Sequence, residues 1–157
     1  ELTGTSWSGV LVQESGTLEN AAGGTVRGAG ELDLRGGTFA NHGVLEPGRS
    51  AGTLTVSGNV AQILPGELNV EIGGLTAGTE YDRVQISGDA QIAGTLNIAV
   101  IEGFVPEAGD TFLIVNSLTR AGTFGAVTGT DLGGGLVMQV TYTATGVVLT
   151  VAAASGE

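Results

Sequence analysis

The sequence predicts an all-β fold in which short coils stack into a β-solenoid. A Gly-Thr-apolar triplet recurs along the chain, as expected of stacked repeat units. Apolar and polar residues also alternate, which is the pattern of half-buried strands. No segment combines the 3.6-residue apolar period of a helix with helix caps. These observations together favour strands throughout.

The triplets follow an imperfect period. From Gly37, the intervals to Gly52, Gly66, Gly94 and Gly122 are 15, 14, 28 and 28 residues. A second repeat relates AQILPGELNV at 61–70 to AQIAGTLNI at 90–98, after deletion of one residue, and Ser-Gly precedes each copy. The sequence therefore predicts units of about 30 residues, each with more than one strand.

Alternation locates the individual strands. The predicted inward residues are Leu68, Val70, Ile72, Val84, Ile86, Leu96, Ile98, Val100, Phe112, Ile114, Leu136, Met138, Val140, Val147, Leu149 and Val151. Gly and Asn fill the intervening gaps, where they adopt left-handed backbone conformations at least cost. Since aromatic residues are few, we expect a core of aliphatic layers.

Two architectures fit these strands: a β-solenoid and an antiparallel β-sandwich. The triplets favour the solenoid, and TYTATGVVLTV suggests that a few antiparallel strands end it. We expect one domain over residues 1–157, with Gly-rich repeat coils at 1–104 and terminal strands or a cap at 105–157.

Composition excludes several classes of function. The chain has 16 acidic groups, five arginines and no lysine, and its formal charge of −11 disfavours nucleic acid and anionic membranes as partners. The absence of cysteine excludes disulfides, zinc–thiolate sites and cysteine nucleophiles. No apolar run reaches the length of a membrane span, so direct membrane insertion is not expected.

Several stretches resemble passenger segments of bacterial autotransporters and related large surface adhesins, which carry autotransporter-associated β-strand repeats. They are GTVRGAGELD, NHGVLEPGRSAGTLTVSG, LNVEIGGLTAGTEYDRVQISGDAQIAGTLNIAV and GFVPEAGDTFLIV, within about residues 16–151. The resemblance implies a right-handed parallel β-helix that is exported and displayed at the bacterial cell surface, outside the outer membrane. It implies no particular ligand.

One motif resembles a hydrolase nucleophile elbow. GRSAG at 48–52 fits G-x-S-x-G, but the only histidine, His42, precedes Ser50, and GTLTVSG predicts a strand where an elbow needs a helix. We therefore interpret the stretch as a Pro47-Gly48 turn. His42 lacks His or Cys partners for a metal.

Carboxylates offer a second possible site. Glu67, Asn69 and Glu71 alternate onto the predicted outer face of one strand, with the spacing that glycoside hydrolysis could use. Glu80 and Asp82 flank Tyr81, and Arg83 is the basic group nearby. The simpler interpretation is a solvated acidic face, with Tyr81 packed at a corner and Asp82 accepting turn N–H groups.

Calcium and sugar binding have weaker support. The stretches nearest a calcium-binding repeat are 73–76 and 131–135, and neither completes that motif or an EF-hand loop. Trp7 could stack on a sugar, although a terminal tryptophan more often covers the end of a core.

The sequence thus predicts no catalytic, cofactor-binding or metal-binding residue, and no enzyme. We expect a structural or adhesive segment of a large bacterial surface protein, acting as a rod, spacer or display scaffold. One alternative is a carbohydrate-binding or polysaccharide-degrading β-helix; another is a self-assembling filament or surface-layer subunit. Expected partners are adjacent repeats of a parent chain, other copies through the solenoid ends, or a host or matrix surface.

Overall fold

A computed structural model describes residues 5–12, 16–48 and 50–155, with the backbone alone described for 5–12. Within these ranges the structure contains no helix, so the prediction of an all-β chain is confirmed. The strands are β1 (Thr5–Val12), β2 (Thr17–Asn20), β3 (Thr25–Asn41), β4 (Val44–Pro47), β5 (Thr53–Gln62), β6 (Glu67–Ile72), β7 (Arg83–Ile86), β8 (Asp89–Ile92), β9 (Thr95–Val100), β10 (Thr111–Asn116), β11 (Thr119–Gly122), β12 (Ala126–Thr128), β13 (Asp131–Gly133), β14 (Leu136–Thr143) and β15 (Gly146–Ala153).

The alternation in the sequence explains these strands. In β6 the even-numbered residues from Leu68 to Ile72 are buried, while the odd-numbered ones from Glu67 to Glu71 are half-buried. The ten residues of β5 alternate in the same way. The stretches predicted from alternation lie in β6, β7, β9, β10, β14 and β15. One face of each strand thus supplies the core, and the other is available to solvent.

Strand β3 is the centre of the stacking. It pairs in parallel with β1 and β2 along one edge, and with β4 and β5 along the other. Three parallel series lead away from it: β4–β6–β9–β12, β5–β7–β10 and β5–β8–β11. From β4 to β12 the chain visits the three series in turn, and we call each such passage a coil.

The coils become longer along the chain. Asn20, Asn41 and Gln62 occupy equivalent places in successive coils and are 21 residues apart. Asp89 instead contacts equivalent residues 30 positions away on either side, Asn59 and Thr119. The additional residues lie largely in the loops 73–82 and 101–110. The predicted unit of about 30 residues is therefore the longer coil.

The last strands change direction. β15 pairs antiparallel with β10 and β14, and β14 pairs antiparallel with β13. The whole is a curled, open, mixed sheet, so neither a purely parallel sheet nor an antiparallel sandwich describes it. The turn between β14 and β15 lies over β11, since the backbone N–H of Arg120 donates to Ala144 O at 2.9 Å.

The core is aliphatic with a small aromatic group. Val, Leu and Ile from all three series are buried together, as the composition predicts. Phe112 of β10 is fully buried, and Tyr81 packs against it edge-on with ring centroids 5.3 Å apart. Each fully buried Leu, Ile or Phe contributes about 1.5–3 kcal/mol to folding. Tyr81 therefore belongs to the core, as well as standing at a corner.

Glycine at the start of a Gly-Thr triplet has a steric role. Gly94 has a φ of +76°, and a Cβ on it would lie closer than 3.0 Å to Gly66 O in the preceding coil. Thr95 then begins β9 and pairs with Glu67. The glycine lets the backbone turn where the two coils are in closest contact.

Candidate functional site

A row of polar side chains crosses the outer face of the β4–β6–β9–β12 series. Its members, here called the outer ladder, are Arg27, Glu46, Asn69, Asn97 and Thr128. They come from β3, β4, β6, β9 and β12, so parallel stacking brings residues that are distant in sequence into adjacent positions.

Each member of the outer ladder bonds to the next. Arg27 Nε pairs with Glu46 Oε2, and Asn69 Nδ2 donates to Glu46 Oε1 at 3.1 Å. Asn97 Nδ2 donates to Asn69 Oδ1 at 2.8 Å, and Thr128 Oγ1 donates to Asn97 Oδ1 at 2.6 Å. Much of the hydrogen-bonding capacity of these groups is therefore used between coils.

A groove of about 360 Å³ lies beside this row. Its polar lining comprises Arg27, Glu46, Asn69, Glu71, Asp82 and Asn97. Sequence analysis identified Asn69, Glu71 and Asp82 as candidates, and the structure brings them to one groove. Glu46 and Asn97 were missed, because nothing in their local sequence indicates that they face the same groove.

Asp82 is the most deeply buried carboxylate in the groove, with 2% of its surface exposed. Its Oδ1 accepts from Gly52 N, and its Oδ2 from Glu71 N, both at 2.8 Å. Burial raises the pKa of Asp82 to about 7 although both hydrogen bonds lower it; the charges of Glu71 and Glu46 raise it further. The local-turn interpretation of Asp82 was thus wrong, since both donors belong to distant segments.

Glu46 has the opposite shift. Burial alone would raise its pKa, but hydrogen bonds from Arg27 and Asn69, with the charge of Arg27, hold the pKa below its ordinary value. The groove therefore contains one carboxyl that holds its proton near neutral pH and one that loses it readily. Carboxyls with divergent pKa values are typical of acid–base sites.

The other predicted carboxylates have local roles. Glu67 lies on the outer face as expected and accepts from Asn97 Nδ2 at 3.1 Å. Glu80 accepts from the backbone N–H groups of Leu75 and Thr76 at 2.9 and 2.8 Å, which closes the loop after β6. Hydrogen bonds from Thr76 lower the pKa of Glu80. Glu80 does not line the groove.

Arg83 points towards β10. Its Nε donates to Leu113 O at 3.0 Å, and its guanidinium contacts the Tyr81 hydroxyl at 3.3 Å. It is therefore not among the groove residues that could serve as a base.

The hydrolase-like stretch forms a connection between β4 and β5. Ser50 is exposed in a turn, Gly48 has a φ of +94°, and β5 begins at Thr53 where an elbow would need a helix. His42 is half-buried between β3 and β4, and its backbone N–H donates to Asn20 O at 2.8 Å. The structure does not bring His42 and Ser50 into a hydrogen bond.

The described residues include no group of three or more His, Asp or Glu placed to hold a metal ion. In one stretch considered for calcium, Asp131 Oδ1 accepts from Gly133 N at 2.9 Å, which forms a local turn. Trp7 lies in β1, and its side chain is outside the described part of the structure.

A second row of amides lies inside the stack. These residues, here called the inner ladder, are Asn20, Asn41 and Gln62, whose exposed fractions are 0%, 0% and 3%. Asn20 Nδ2 donates to Asn41 Oδ1 at 2.8 Å, and Asn41 Nδ2 donates to Gln62 Oε1 at 2.9 Å. Sequence analysis missed this row, although a 21-residue spacing of amides at strand ends could have indicated it.

Fold and groove define an all-β protein of stacked, mainly parallel strands, with one polar groove on its outer face. No protein-family model matches the sequence, and neither does any curated protein. No helix in the described ranges could cross a membrane.

Proposed function

We propose that the chain is a right-handed parallel β-helix that serves as a non-enzymatic structural or adhesive segment of a large bacterial surface protein. The observation that carries this proposal is the outer ladder, whose polar groups hold successive coils together. Three parallel series, visited in turn by the chain, are the arrangement expected of a β-helix. Display at the bacterial cell surface follows from the sequence resemblance.

In this function the stack acts as a rod, a spacer or a surface for adhesion. Ladder bonds join neighbouring coils, and the buried aliphatic layers make each coil depend on the next. The acidic surface favours solubility and opposes binding to nucleic acid. Expected partners are adjacent repeats, other copies or a host or matrix surface.

Limited digestion with proteinase K tests the scaffold. We expect early cuts in the loops 73–82, 101–110 and 129–135 alone, with the fragments still associated, because the strand backbones are hydrogen-bonded between coils. Asn97→Ala should accelerate later cuts by removing bonds to Asn69 and Thr128. Early cleavage within β5 or β6 would contradict the proposal.

A polysaccharide-binding or polysaccharide-degrading β-helix is the second candidate. The observation that favours it is the groove, where Asp82 could donate a proton and Glu46 could act as a base. The polar amides of Asn69 and Asn97 could orient sugar hydroxyls there. The mechanism would be general acid–base hydrolysis of a glycosidic bond.

A panel of bacterial and plant polysaccharides separates the candidates. The scaffold proposal predicts no release of reducing ends. Hydrolysis predicts release that Asp82→Asn and Glu46→Gln both abolish, while Glu80→Gln, outside the groove, leaves it unchanged. Release that survives both groove variants would contradict catalysis in this groove. Glu46→Gln is informative even if Asp82→Asn unfolds, since Glu46 is only half-buried.

A further inference from the structure

The inner ladder ends at Asn20 with an unused acceptor. Asn20 Nδ2 has three acceptors around it: Asn41 Oδ1 at 2.8 Å, Val44 O at 3.1 Å and Gly24 O at 3.4 Å. These acceptors fix the orientation of the amide, because a flipped amide would place its oxygen against three oxygens. Asn20 Oδ1 therefore points away from Asn41. It is buried and has no hydrogen-bond partner.

The ladder itself indicates which donor would satisfy this oxygen. Asn41 Oδ1 accepts from the amide 21 residues before it, and so does Gln62 Oε1. By the same geometry, Asn20 Oδ1 faces the place of an Asn or Gln amide from one further coil. A buried acceptor without a donor destabilises a protein, so such a donor would stabilise the pair.

The backbone at this end is also ready for pairing. β1 pairs with β3 alone, and so does β2, so each has one strand edge without a partner in the described part. Both follow the 21-residue register, with Thr5 opposite Val26 and Thr17 opposite Thr38. An open strand edge accepts another strand readily.

The opposite end of the stack is different. β15 occupies the edge of β10, and the β14–β15 turn covers β11 through Ser117 N to Thr145 O at 2.7 Å. Phe124 packs against Tyr142 there, with ring centroids 6.5 Å apart. A second copy cannot stack its terminal coil directly on β1 and β2, because this hairpin lies in between.

We propose that the β1–β2 edge is a docking surface for one further parallel coil of 21 residues that carries an inward Asn or Gln opposite Asn20. The coil extends both strand ladders and donates its side-chain amide to Asn20 Oδ1. This inference rests on the scaffold function proposed above and adds the polarity and the chemistry of its partner.

The test fuses a copy of residues 22–42 directly in front of residue 1 of the full chain. The copied Asn41 then lies 21 positions before Asn20, and the copied strands match the register of β1 and β2. We expect backbone amides of β2 to exchange with solvent at least tenfold more slowly than in the parent chain. The urea midpoint should rise as well.

Two matched fusions isolate the amide. Asn41→Asp within the copy keeps the shape but removes the N–H donor, and should lose most of the added protection. A copy with scrambled residues controls for length and should give none. Exchange in β14 and β15 should be the same in all fusions, which shows that the parent fold is intact.

Equal protection by the Asp or scrambled copy would overturn the proposal, and so would unchanged exchange in β2 with the unmodified copy. Such a failure is distinct from failure of the scaffold function, because digestion of the parent chain tests the latter without any added coil.

Discussion

Replacing Gly94 by alanine tests whether close contact between coils sets the positions of glycine. Two costs are expected. Alanine at a φ of +76° costs about 1–2 kcal/mol. Its Cβ would also overlap Gly66 O in the preceding coil, and such overpacking costs about 1–3 kcal/mol. The free energy of unfolding should therefore fall by about 2–5 kcal/mol.

Gly103 provides the matched control. Its φ is +69°, but a Cβ there would meet no atom within 4 Å. Gly103→Ala should therefore cost only the backbone term, about 1–2 kcal/mol. Urea unfolding followed by circular dichroism gives both values, provided that the m-value is unchanged. Equal losses in the two variants would refute the steric role of Gly94.

Two further predictions concern polar groups. Because the folded-state pKa of Asp82 is raised to about 7, its contribution to stability is full below about pH 4 and is lost as pH rises to about 7, by at most about 4 kcal/mol. Asp82→Asn should flatten this part of the stability profile in urea titrations from pH 4 to 8; an unchanged slope would show that Asp82 titrates elsewhere. Asn41→Leu should lower the free energy of unfolding by about 2–4 kcal/mol, because it leaves Gln62 Oε1 buried without a donor. Asn97→Ala, on the half-buried outer ladder, should cost about 1 kcal/mol, and equal losses in urea would contradict the distinction between the ladders.

The alternation of apolar residues was sufficient to predict most strands, because each strand has one face in the core. It was also sufficient to place Glu67, Asn69 and Glu71 on an outer face. Which strands pair was harder to infer, since parallel partners lie 21 to 30 residues apart and the coil length changes along the chain.

One repeat alignment shows the limit clearly. The sequence match makes Gln62 equivalent to Gln91, but the structure pairs Ala61 with Gln91. Gln62 is buried whereas Gln91 is exposed, because a shift of one residue exchanges the two faces of a strand. The match of Leu68 with Leu96 is correct. Side-chain identity alone did not reveal that the deleted residue falls between these two strands.

The site was only partly predictable for the same reason. Glu71 and Asp82 stood out as carboxylates near one another in sequence, but their shared groove depends on Glu46 and Asn97 from other coils. The burial of Asp82 could not be deduced from neighbours in sequence, because its two donors are 11 and 30 residues away.

The change from 21-residue to 30-residue coils has a consequence for engineering. The strands keep their register while the loops 73–82 and 101–110 absorb most of the extra length, so the stack places little restriction on chain length at those two points. Peptides grafted between residues 74 and 79 should therefore be presented on a rigid support at a fixed height. A single residue inserted into β5 would instead move its inward side chains to the outside.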